Sequence, residues 1–543
     1  MSKHRGADAL IRVLRARGVT QLFTVSGNHV MSVFDAALDG GMGLVHARHE
    51  AATVHMADAR SRVSGRVGVA LVTGGPGHAN AVSALYTARM AEAPLVLLSG
   101  HAPRSERGMG AFQEMPQADV AAPLAKAAWT CAAADEVARD VARAMDIACD
   151  GRPGPVSLSL ASDALEAEAS AQSSAAVAKK GVSPIVDARL IDAVVERLQR
   201  AVRPLILVGP ASMTRHGARV AAALDDAIGV PVVGMESPRG IADPALGAFG
   251  EMLAQADCVL LVGKRVDFTL RFGRPPAFSA DCAFLQIDAD ADELLRTRRA
   301  VGDRLAITGS AAAQTALQAL ADHASASNPQ RHAAWQREVR AAIAFRPAGW
   351  GRAVSGDEGR LHPLEALRPL QALLDTHPES VLVSDGGEFG QWAQACLQAP
   401  HRVINGMAGS IGSALPYAVG ARCALPDVPI VATLGDGTFG FHASEIDTAV
   451  RYRLPFIAVV GNDARWNAEY QIQLREYGKN RLVGCELAPT RYDAVCAAFG
   501  GYGALVTHGN DMAAAVNRAQ ASALPACINV MIDGVAAPRI TRA

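Results

Sequence analysis

Strand-length apolar runs alternate with helical stretches along almost the whole chain. The runs are QLFTVSG, GLVHARHE, VGVALVTGG, APLVLLSG and GPVSLSLA near the start, PLILVGP, VPVVGM, CVLLVG and AFLQIDAD in the middle, and SVLVSDGG, RVINGMAGS, VPIVATLGDG, LPFIAVVGND and ACINVMID towards the end. Runs that are apolar throughout and separated by helices are typical of parallel sheets covered on both faces. At 543 residues the chain is too long for one core. We therefore predict an α/β protein built from three doubly wound parallel-sheet domains.

Two segments rich in Ala, Ser, Gly or Pro separate the three blocks of predicted strands. The first, EAEASAQSSAAVAKKGVSP, is of low complexity, and the second, FRPAGWGRAVSGDEGRLHP, is rich in residues that interrupt helices and strands. Such compositions are typical of linkers. We predict domains over residues 1–165, 185–345 and 364–543, joined by linkers at 166–184 and 346–363.

The charge balance and the cysteines exclude several classes of protein. The chain has 52 basic and 53 acidic residues, a net charge of −1, and no basic stripe that would indicate nucleic acid or a membrane surface as partner. The nine cysteines show no metal-ligand spacing, so we expect reduced thiols in a cytoplasmic protein. The N-terminal segment lacks the apolar core of a signal peptide, and no apolar run approaches the roughly 20 residues that span a bilayer.

The stretch GDGTFGFHASEIDTAVRYRLPFIAVVGND carries the strongest chemical signal. One predicted strand ends at Gly435-Asp436-Gly437, and the next ends at Asn462-Asp463. If these strands are neighbours, both aspartates meet at one edge of the sheet, where open α/β sheets bind ligands. Carboxylate oxygens suit Mg²⁺, and glycines let backbone N–H groups approach a diphosphate. GDG alone is a common turn and Asn-Asp a common helix cap, but the combination favours a metal site.

This compound pattern resembles the thiamin diphosphate-binding signature, in which GDG is followed after some two dozen residues by an Asn pair. Over nearly its whole length the chain is similar to the acetolactate synthase-like group of thiamin diphosphate enzymes, which includes benzaldehyde lyase, oxalyl-CoA decarboxylase and 2-hydroxyacyl-CoA lyases. The resemblance implies pyrimidine-binding, middle and diphosphate-binding domains in that order. It also implies that Asp436, Asp463 and the main-chain carbonyl of Arg465 hold Mg²⁺, although Asn is usual at position 463.

Glu50, in RHEAATVHMADARSRVSG, is predicted at a strand-to-helix junction. A lone Glu near a helix start is commonly explained by the helix dipole. By resemblance, however, Glu50 is the family's glutamate that shares a proton with the aminopyrimidine of the cofactor, so that a C2 ylid forms and attacks a carbonyl. A buried carboxyl with a raised pKa would suit that role.

The same resemblance assigns further residues to the cofactor. In NGMAGSIG, the Gly409 carbonyl would receive the 4′-amine and Ile411 would support the bent cofactor, with core packing as the alternative for Ile411. In SDGGEF, Gly387 and Glu388 would meet the diphosphate. The predicted cofactor-binding set is Glu50, Gly387, Glu388, Gly409, Ile411, Gly435, Asp436, Gly437, Thr438 and Asp463.

His29 and Gln113 are predicted to face the substrate. His29, in FTVSGNHV, lies where benzaldehyde lyase carries a histidine over the thiazolium, and Gln113, in GAFQEM, lies where that enzyme and acetolactate synthases have a substrate-facing glutamine. A lone His after a strand is often a cap or a surface residue, but the two together favour catalysis. His29 would shuttle a proton to the bound alkoxide, and Gln113 would hydrogen-bond it.

Two departures from the acetolactate synthases bear on the reaction. Their GMVxQWQ is replaced by ARWNAEYQIQ, with Ile472 in place of the Trp that shapes the second-substrate pocket, while Trp466 lies as in benzaldehyde lyase. In the middle domain, the FDDR motif of the FAD-type acetolactate synthases is replaced by KRVDFTLRFG, a segment that is more similar to the one in oxalyl-CoA decarboxylases. We therefore predict a lyase or carboligase acting on 2-hydroxyacyl substrates, including CoA thioesters, or on 2-hydroxyketones. Acetolactate synthesis or 2-oxo acid decarboxylation is the alternative, and a non-catalytic cofactor-binding regulatory protein is the alternative of another class.

Arg265, Arg271 and Arg274 in the middle domain leave two interpretations open. They bind a nucleotide, such as FAD or the ADP part of CoA, or they are solvated surface charges; the middle domain has no GxGxxG to support a dinucleotide site. By resemblance, the active site forms between the first domain of one chain and the third domain of another. We therefore predict a homodimer or homotetramer that acts on a small-molecule substrate.

Overall fold

The computed structural model describes residues 4–170, 186–327 and 332–542, which form three parallel-sheet α/β domains. The predicted fold class is confirmed. Of the first predicted linker, residues 171–184 lie outside the described residues. The second contains a 3-10 helix, Ala348–Arg352, and ends where a long helix begins at Pro363. The domain boundaries themselves stay a prediction.

The first domain is built around one parallel sheet. Its strands are β1 (Gln21–Thr24), β2 (Gly43–His46), β3 (Gly68–Val72), β4 (Leu95–His101), β5 (Ala127–Cys131) and β6 (Pro155–Ala161). Its helices are α1 (Gly6–Ala16), α2 (Met31–Asp39), α3 (Glu50–Ser64), α4 (Pro76–Met90), α5 (Gln117–Ala121), α6 (Ala134–Cys149) and α7 (Ser162–Glu166). The strand order is β2-β1-β3-β4-β6-β5. The central strands β3 and β4 are buried throughout, which explains their uninterrupted apolar runs.

The middle domain has a smaller parallel sheet. Its strands are β7 (Pro204–Val208), β8 (Val232–Gly234), β9 (Cys258–Val262), β10 (Ala283–Ile287) and β11 (Leu305–Gly309). Its helices are α8 (Ala188–Arg200), α9 (Arg215–Ile228), α10 (Phe249–Leu253), α11 (Ala291–Val301), α12 (Ala313–Ser327) and α13 (Ala333–Ala344). The strand order is β11-β10-β9-β7-β8, so the chain reverses its direction across the sheet between β7 and β9.

The third domain repeats the topology of the first. Its strands are β12 (Val381–Ser384), β13 (His401–Ile404), β14 (Ile430–Gly435), β15 (Ile457–Asn462), β16 (Tyr502–Val506) and β17 (Ala526–Met531). Its helices are α14 (Pro363–Leu374), α15 (Glu388–Cys396), α16 (Ala414–Ala424), α17 (Asp436–Phe439), α18 (Glu445–Arg451), α19 (Asn467–Tyr477), α20 (Tyr492–Ala498) and α21 (Gly509–Ala521). The strand order β13-β12-β14-β15-β17-β16 places the reversal between β12 and β14.

Three strands, β5, β11 and β16, were not among the predicted runs, and each lies at an edge of its sheet. An edge strand has a neighbour on one side only and is covered less by helices. The residues of β5 and β16 are mostly half-buried, and β11 alternates between covered and exposed positions. Weaker burial requires fewer apolar residues, so these strands leave a weaker pattern in the sequence.

Helices α3 and α16 join the first and third domains. At Gly420 of α16 a Cβ atom would lie 2.2 Å from the main-chain oxygen of Met56 in α3, so only glycine permits this approach. The hydroxyl of Tyr417 on α16 donates to Asp58 Oδ2 on α3 at 2.9 Å. One apolar core runs through both domains around this helix pair. Among the described residues, no helix has both the length and the apolar composition needed to cross a membrane.

Candidate active site

A cavity of about 290 Å³ lies at the carboxyl ends of β12, β14 and β15. This is the point where the third sheet reverses its strand order, and open α/β sheets bind ligands in such a crevice. Third-domain residues form most of the wall, and Ser237, Pro238 and Arg239 of the middle domain contribute to it.

Asp436 and Asp463 lie together at this edge of the sheet. Strands β14 and β15 are parallel neighbours with Gly435 opposite Gly461, so Asp436 and Asp463 follow adjacent strand ends and differ by one residue in level. Both side chains are buried and line the cavity. The neighbouring strands that the sequence argument required are therefore present.

The electrostatics of this pair fit a metal site. Burial raises the pKa of Asp436 to about 6. Burial, together with the charge of Asp436 and against a smaller opposing effect of Arg465, raises the pKa of Asp463 to about 7. Asp436 Oδ1 accepts the N–H of Gly437 at 3.0 Å, whereas Oδ2 is buried and has no hydrogen-bond partner among the described residues. An orphaned carboxylate oxygen beside a second buried carboxyl suits a hard divalent cation such as Mg²⁺.

Open backbone surrounds the two carboxyls. A Cβ atom at Gly435 or Gly409 would meet no atom within 4 Å, so space for a ligand lies directly against the chain. Helix α15 begins at the cavity, where its free N–H groups favour an anion. Gly387, Glu388, Gly437 and Thr438 of the predicted set also line this wall. The cradle fits a diphosphate.

Two of these side chains have local roles as well. The hydroxyl of Thr438 donates to the main-chain oxygen of Gly435 at 2.9 Å and so holds the turn after β14. The carboxyl of Glu388 accepts the side-chain amide of Gln391 at 3.0 Å, and burial raises its pKa. Glu388 therefore lines the anion site as an acid whose pKa is raised by burial.

Asp385, which the sequence argument missed, holds the loop that carries Gly409 and Ile411. Its Oδ2 accepts the N–H groups of Gly412 at 2.8 Å and Ala414 at 3.0 Å. The side chain is 1% exposed, and burial raises its pKa to about 6. Asp385 directly follows β12, as Asp436 follows β14, and this shared position was the available signal.

Glu50, His29 and Gln113 form a second constellation around the turn between β3 and α4. Glu50 is the first residue of α3 and is half-buried, and its Oε2 accepts the side-chain N–H of Asn80 at 3.0 Å. At Gly77, the second residue of α4, a Cβ atom would lie 3.5 Å from Glu50 Oε1.

His29 and Gln113 lie on the other side of the same turn. His29 Nδ1 is 3.2 Å from the Thr73 hydroxyl, and burial lowers the pKa of the ring. Gln113 adopts a φ of +58°. Its main-chain oxygen would lie 2.6 Å from a Cβ atom at Gly75, so the loop that carries Gln113 can pack against the turn after β3 only because Gly75 has no side chain. The three predicted catalytic residues are therefore brought together.

The two constellations remain separate within one chain. The residues that line the third-domain cavity come from the middle and third domains, and Glu50, His29 and Gln113 are not among the described residues on its wall. Next to Gln113, Phe112 is 66% exposed and stacks on His29, with ring centroids 6.2 Å apart. An exposed aromatic ring over a candidate catalytic histidine leaves this face open to another chain.

The middle-domain arginines divide between the two interpretations. Arg265 is buried and forms an ion pair with Glu293 at 3.1 Å. Arg271 and Arg274 are exposed in or directly after the 3-10 helix Phe268–Gly273. Arg265 is thus committed to a partner, and the other two lie at the surface.

Comparison with known proteins identifies the family. Domain models of the thiamine pyrophosphate enzymes match at 4–122 (N-terminal TPP-binding), 191–320 (central) and 385–530 (C-terminal TPP-binding). A "Probable acetolactate synthase" of Mycobacterium bovis is 32% identical over 98% of this chain and 96% of its own. The "2-hydroxyacyl-CoA lyase 2" of Danio rerio is 30% identical over 93% of this chain and 87% of its own.

A solved structure shares the fold. The thiamine diphosphate-dependent 4-hydroxybenzoylformate decarboxylase of Rhodococcus jostii RHA1 superposes with a TM-score of 0.83 over 98% of this chain and 100% of that chain, at 22% identity. The resemblance inferred from the sequence motifs is confirmed. The chain belongs to the thiamine pyrophosphate enzyme family and is an acetolactate synthase-like, thiamin diphosphate-dependent lyase or carboligase.

Proposed function

We propose that this enzyme uses Mg²⁺ with thiamin diphosphate to make or break the bond between a carbonyl carbon and a carbinol carbon in 2-hydroxyacyl or 2-hydroxyketone substrates. The observation that carries the metal assignment is the buried Asp436–Asp463 pair, with one orphaned oxygen, at the reversal point of the third sheet. These two side chains and the carbonyl of Arg465 would hold Mg²⁺ against the diphosphate. When bound, thiamin diphosphate supplies a carbon nucleophile and an electron sink.

Residues of the first domain would carry out the proton transfers. Glu50, oriented by Asn80, would hold a proton at N1′ of the aminopyrimidine. His29 has a lowered pKa and is neutral at pH 7, so it can take a proton from the substrate hydroxyl and return it. Gln113 would hydrogen-bond the same oxygen, while Ile411 and Gly409 of the third domain would support the cofactor ring.

We propose that two chains build each active site. Because Glu50, His29 and Gln113 do not line the third-domain cavity of their own chain, a second chain would supply them. The exposed Phe112 and Met109, 66% and 77% accessible, would be covered in that assembly. Light scattering should show a homodimer or homotetramer; a fully active monomer would contradict this. No disulfide bond joins cysteines among the described residues, which supports a reducing compartment such as the cytoplasm.

Product analysis would separate the candidate reactions. Trp466 packs against Gly437 at the cavity, where a Cβ atom would lie 2.7 Å from its ring, and so narrows the site next to the metal ligands. We propose incubating the holoenzyme in parallel with pyruvate, benzoin and a 2-hydroxyacyl-CoA, followed by mass spectrometry. Cleavage of benzoin or of the acyl-CoA would support the lyase. Acetolactate from pyruvate alone would favour the second candidate, acetolactate synthesis, which the 32% identical relative supports.

The affinity for Mg²⁺ should rise between pH 6 and pH 8. The pKa values of about 6 for Asp436 and about 7 for Asp463 exceed the ordinary value near 4. In the protein without metal, the two protonated carboxyls therefore add to the free energy of unfolding below about pH 4. That contribution is lost as the pH rises through about 6 and 7, where the folded protein must release these protons. Mg²⁺ binds when both carboxylates are deprotonated. For each carboxyl, the affinity for Mg²⁺ should therefore fall by up to about tenfold for every pH unit below the pKa of that carboxyl. Calorimetric titration at three pH values would measure this, and a flat profile would contradict it.

Replacing Asp385 by Ala should weaken cofactor binding by about tenfold or more and lower the melting temperature. The substitution leaves the N–H groups of Gly412 and Ala414 without their acceptor, at about 1–3 kcal/mol for each buried group. Asp385→Asn keeps an acceptor oxygen and is the matched control, expected to lie between Ala and the native protein. Calorimetry and thermal unfolding would check both, and an Ala variant that binds normally would show that the loop needs no such anchor.

A further inference from the structure

The middle domain has its own crevice at the point where its sheet reverses. The strand order changes direction between β7 and β9, and β10 lies next to β9. In a doubly wound sheet a nucleotide binds outside the carboxyl ends of such strands. This is where FAD or the ADP part of CoA would be expected.

Two residues of the first domain occupy this crevice. Glu92 Oε2 accepts the N–H of Ala211, just after β7, at 3.1 Å. Arg152 donates to the main-chain oxygen of Gly263, just after β9, at 3.1 Å. Arg152 also forms ion pairs with Glu92 and with Asp288, just after β10. The pair from the first domain therefore bridges the ends of all three strands.

The contact between the Glu92–Arg152 pair and the middle domain is buried and leaves little room for a ligand. Glu92 is 3% exposed, and the side chain of Arg152 is 10% exposed. A Cβ atom at Gly209 would lie 2.1 Å from the oxygen of Gly263, so the turns after β7 and β9 already touch. A diphosphate bound here would accept a hydrogen bond from the N–H of Ala211, but the carboxylate of Glu92 already accepts it. The negative charge of Glu92 would also repel the diphosphate.

The space that remains beside the pair does not suit a dinucleotide. A cavity of about 290 Å³ adjoins Glu92 and Ala211, at the lower end of the roughly 300–1,000 Å³ of ligand pockets. It is lined by a second buried carboxyl, Glu236, which Arg62 and Arg402 flank at 3.5 Å and 3.9 Å. Arg62 and Arg402 are thus already paired with an acid.

We infer that the Glu92–Arg152 pair closes the nucleotide crevice of the middle domain and locks the first domain onto it, so that neither FAD nor an ADP moiety binds there. The pair takes the place that a bound nucleotide would fill between these domains. This inference does not depend on the substrate, because neither residue belongs to the candidate active site. An acyl-CoA substrate would have to place its nucleotide elsewhere on the surface.

Equilibrium dialysis of the holoenzyme, loaded with thiamin diphosphate and Mg²⁺, against ADP and against FAD would test the closed crevice. We expect no saturable binding of either nucleotide up to about 1 mM. Stoichiometric binding of FAD or ADP with a dissociation constant of about 10 µM or below would overturn the inference.

Hydrogen–deuterium exchange would test the lock. In Glu92→Ala, amides at 209–213 in the middle domain should exchange about tenfold faster, although the substitution lies in the first domain. Glu92→Gln, which keeps an acceptor but loses the charge, should give a smaller increase and serves if the Ala variant fails to fold. Glu196→Ala, which removes an exposed ion pair with Arg200, is the control and should leave this segment unchanged. Exchange in 209–213 unaffected by both Glu92 variants would overturn the lock.

Discussion

Replacing Asp436 by Ala should reduce the Mg²⁺-dependent affinity for thiamin diphosphate by about 10³-fold, equivalent to about 4 kcal/mol. The substitution removes the buried carboxylate whose Oδ2 has no hydrogen-bond partner among the described residues, and it leaves Asp463 as the remaining carboxylate of the pair. Isothermal titration of the folded variant with thiamin diphosphate at fixed Mg²⁺ would measure the loss directly.

Two further variants sharpen this result. Asp463→Asn retains an oxygen ligand and restores the residue that is usual in the family, so we expect an affinity within about tenfold of the native protein. Asp427→Ala removes an exposed carboxylate that precedes β14, at the opposite end of the strand from Asp436, and should bind normally. Native affinity in Asp436→Ala would mean that the metal is held elsewhere.

Replacing Glu50 by Gln should lower kcat by about 10²–10⁴-fold while changing cofactor affinity by less than about tenfold. Gln keeps the shape of the side chain and an oxygen that can accept from Asn80, but it cannot exchange a proton with the aminopyrimidine. Proton exchange at C2 of the bound cofactor, followed by NMR, should slow by a comparable factor. The circular dichroism band of the iminopyrimidine should also disappear.

The control for this variant is Glu166→Gln, which neutralises an exposed carboxylate at the end of α7 in the same domain. Its kcat and C2 exchange should match those of the native protein. If Glu50→Gln exchanged the C2 proton at the native rate, another group would have to carry the relay, and the assignment of Glu50 would be wrong.

The strands at the centre of each sheet were predictable because burial on both faces favours apolar residues at nearly every position. Strands β3 and β14 are of this kind. The edge strands β5, β11 and β16 are partly solvated, and their mixed residues resemble loops and helices as much as strands. Their existence depends on hydrogen bonds to a neighbour that is distant in the sequence, and no local pattern records that neighbour.

The candidate site also has one part that could be predicted from the sequence and another that could not. The approach of Asp436 and Asp463 follows from parallel neighbours, which place consecutive strand ends side by side. The role of Asp385 depends on how residues 405–414 fold back over β12, and the Glu92–Arg152 pair depends on how two domains dock. Neither arrangement has a sequence periodicity from which it could be predicted.

The assembly of the site is the remaining step from structure to function. Glu50 lies on the first domain and the carboxylate pair on the third, and one chain does not bring them to the same cavity. A proton relay must contact the cofactor, so we proposed above that a second chain brings the two constellations together. The location of the metal and the chain that supplies Glu50 are therefore linked questions.

A crystal structure of the complex with thiamin diphosphate and Mn²⁺, with the metal located by anomalous diffraction, would answer both. We expect one metal peak at about 2.1 Å from oxygens of Asp436 and Asp463, bridging to the diphosphate, with Glu50 of the partner subunit against the aminopyrimidine. A metal bound away from both aspartates, or an aminopyrimidine with no Glu50 from either chain beside it, would contradict the proposed site.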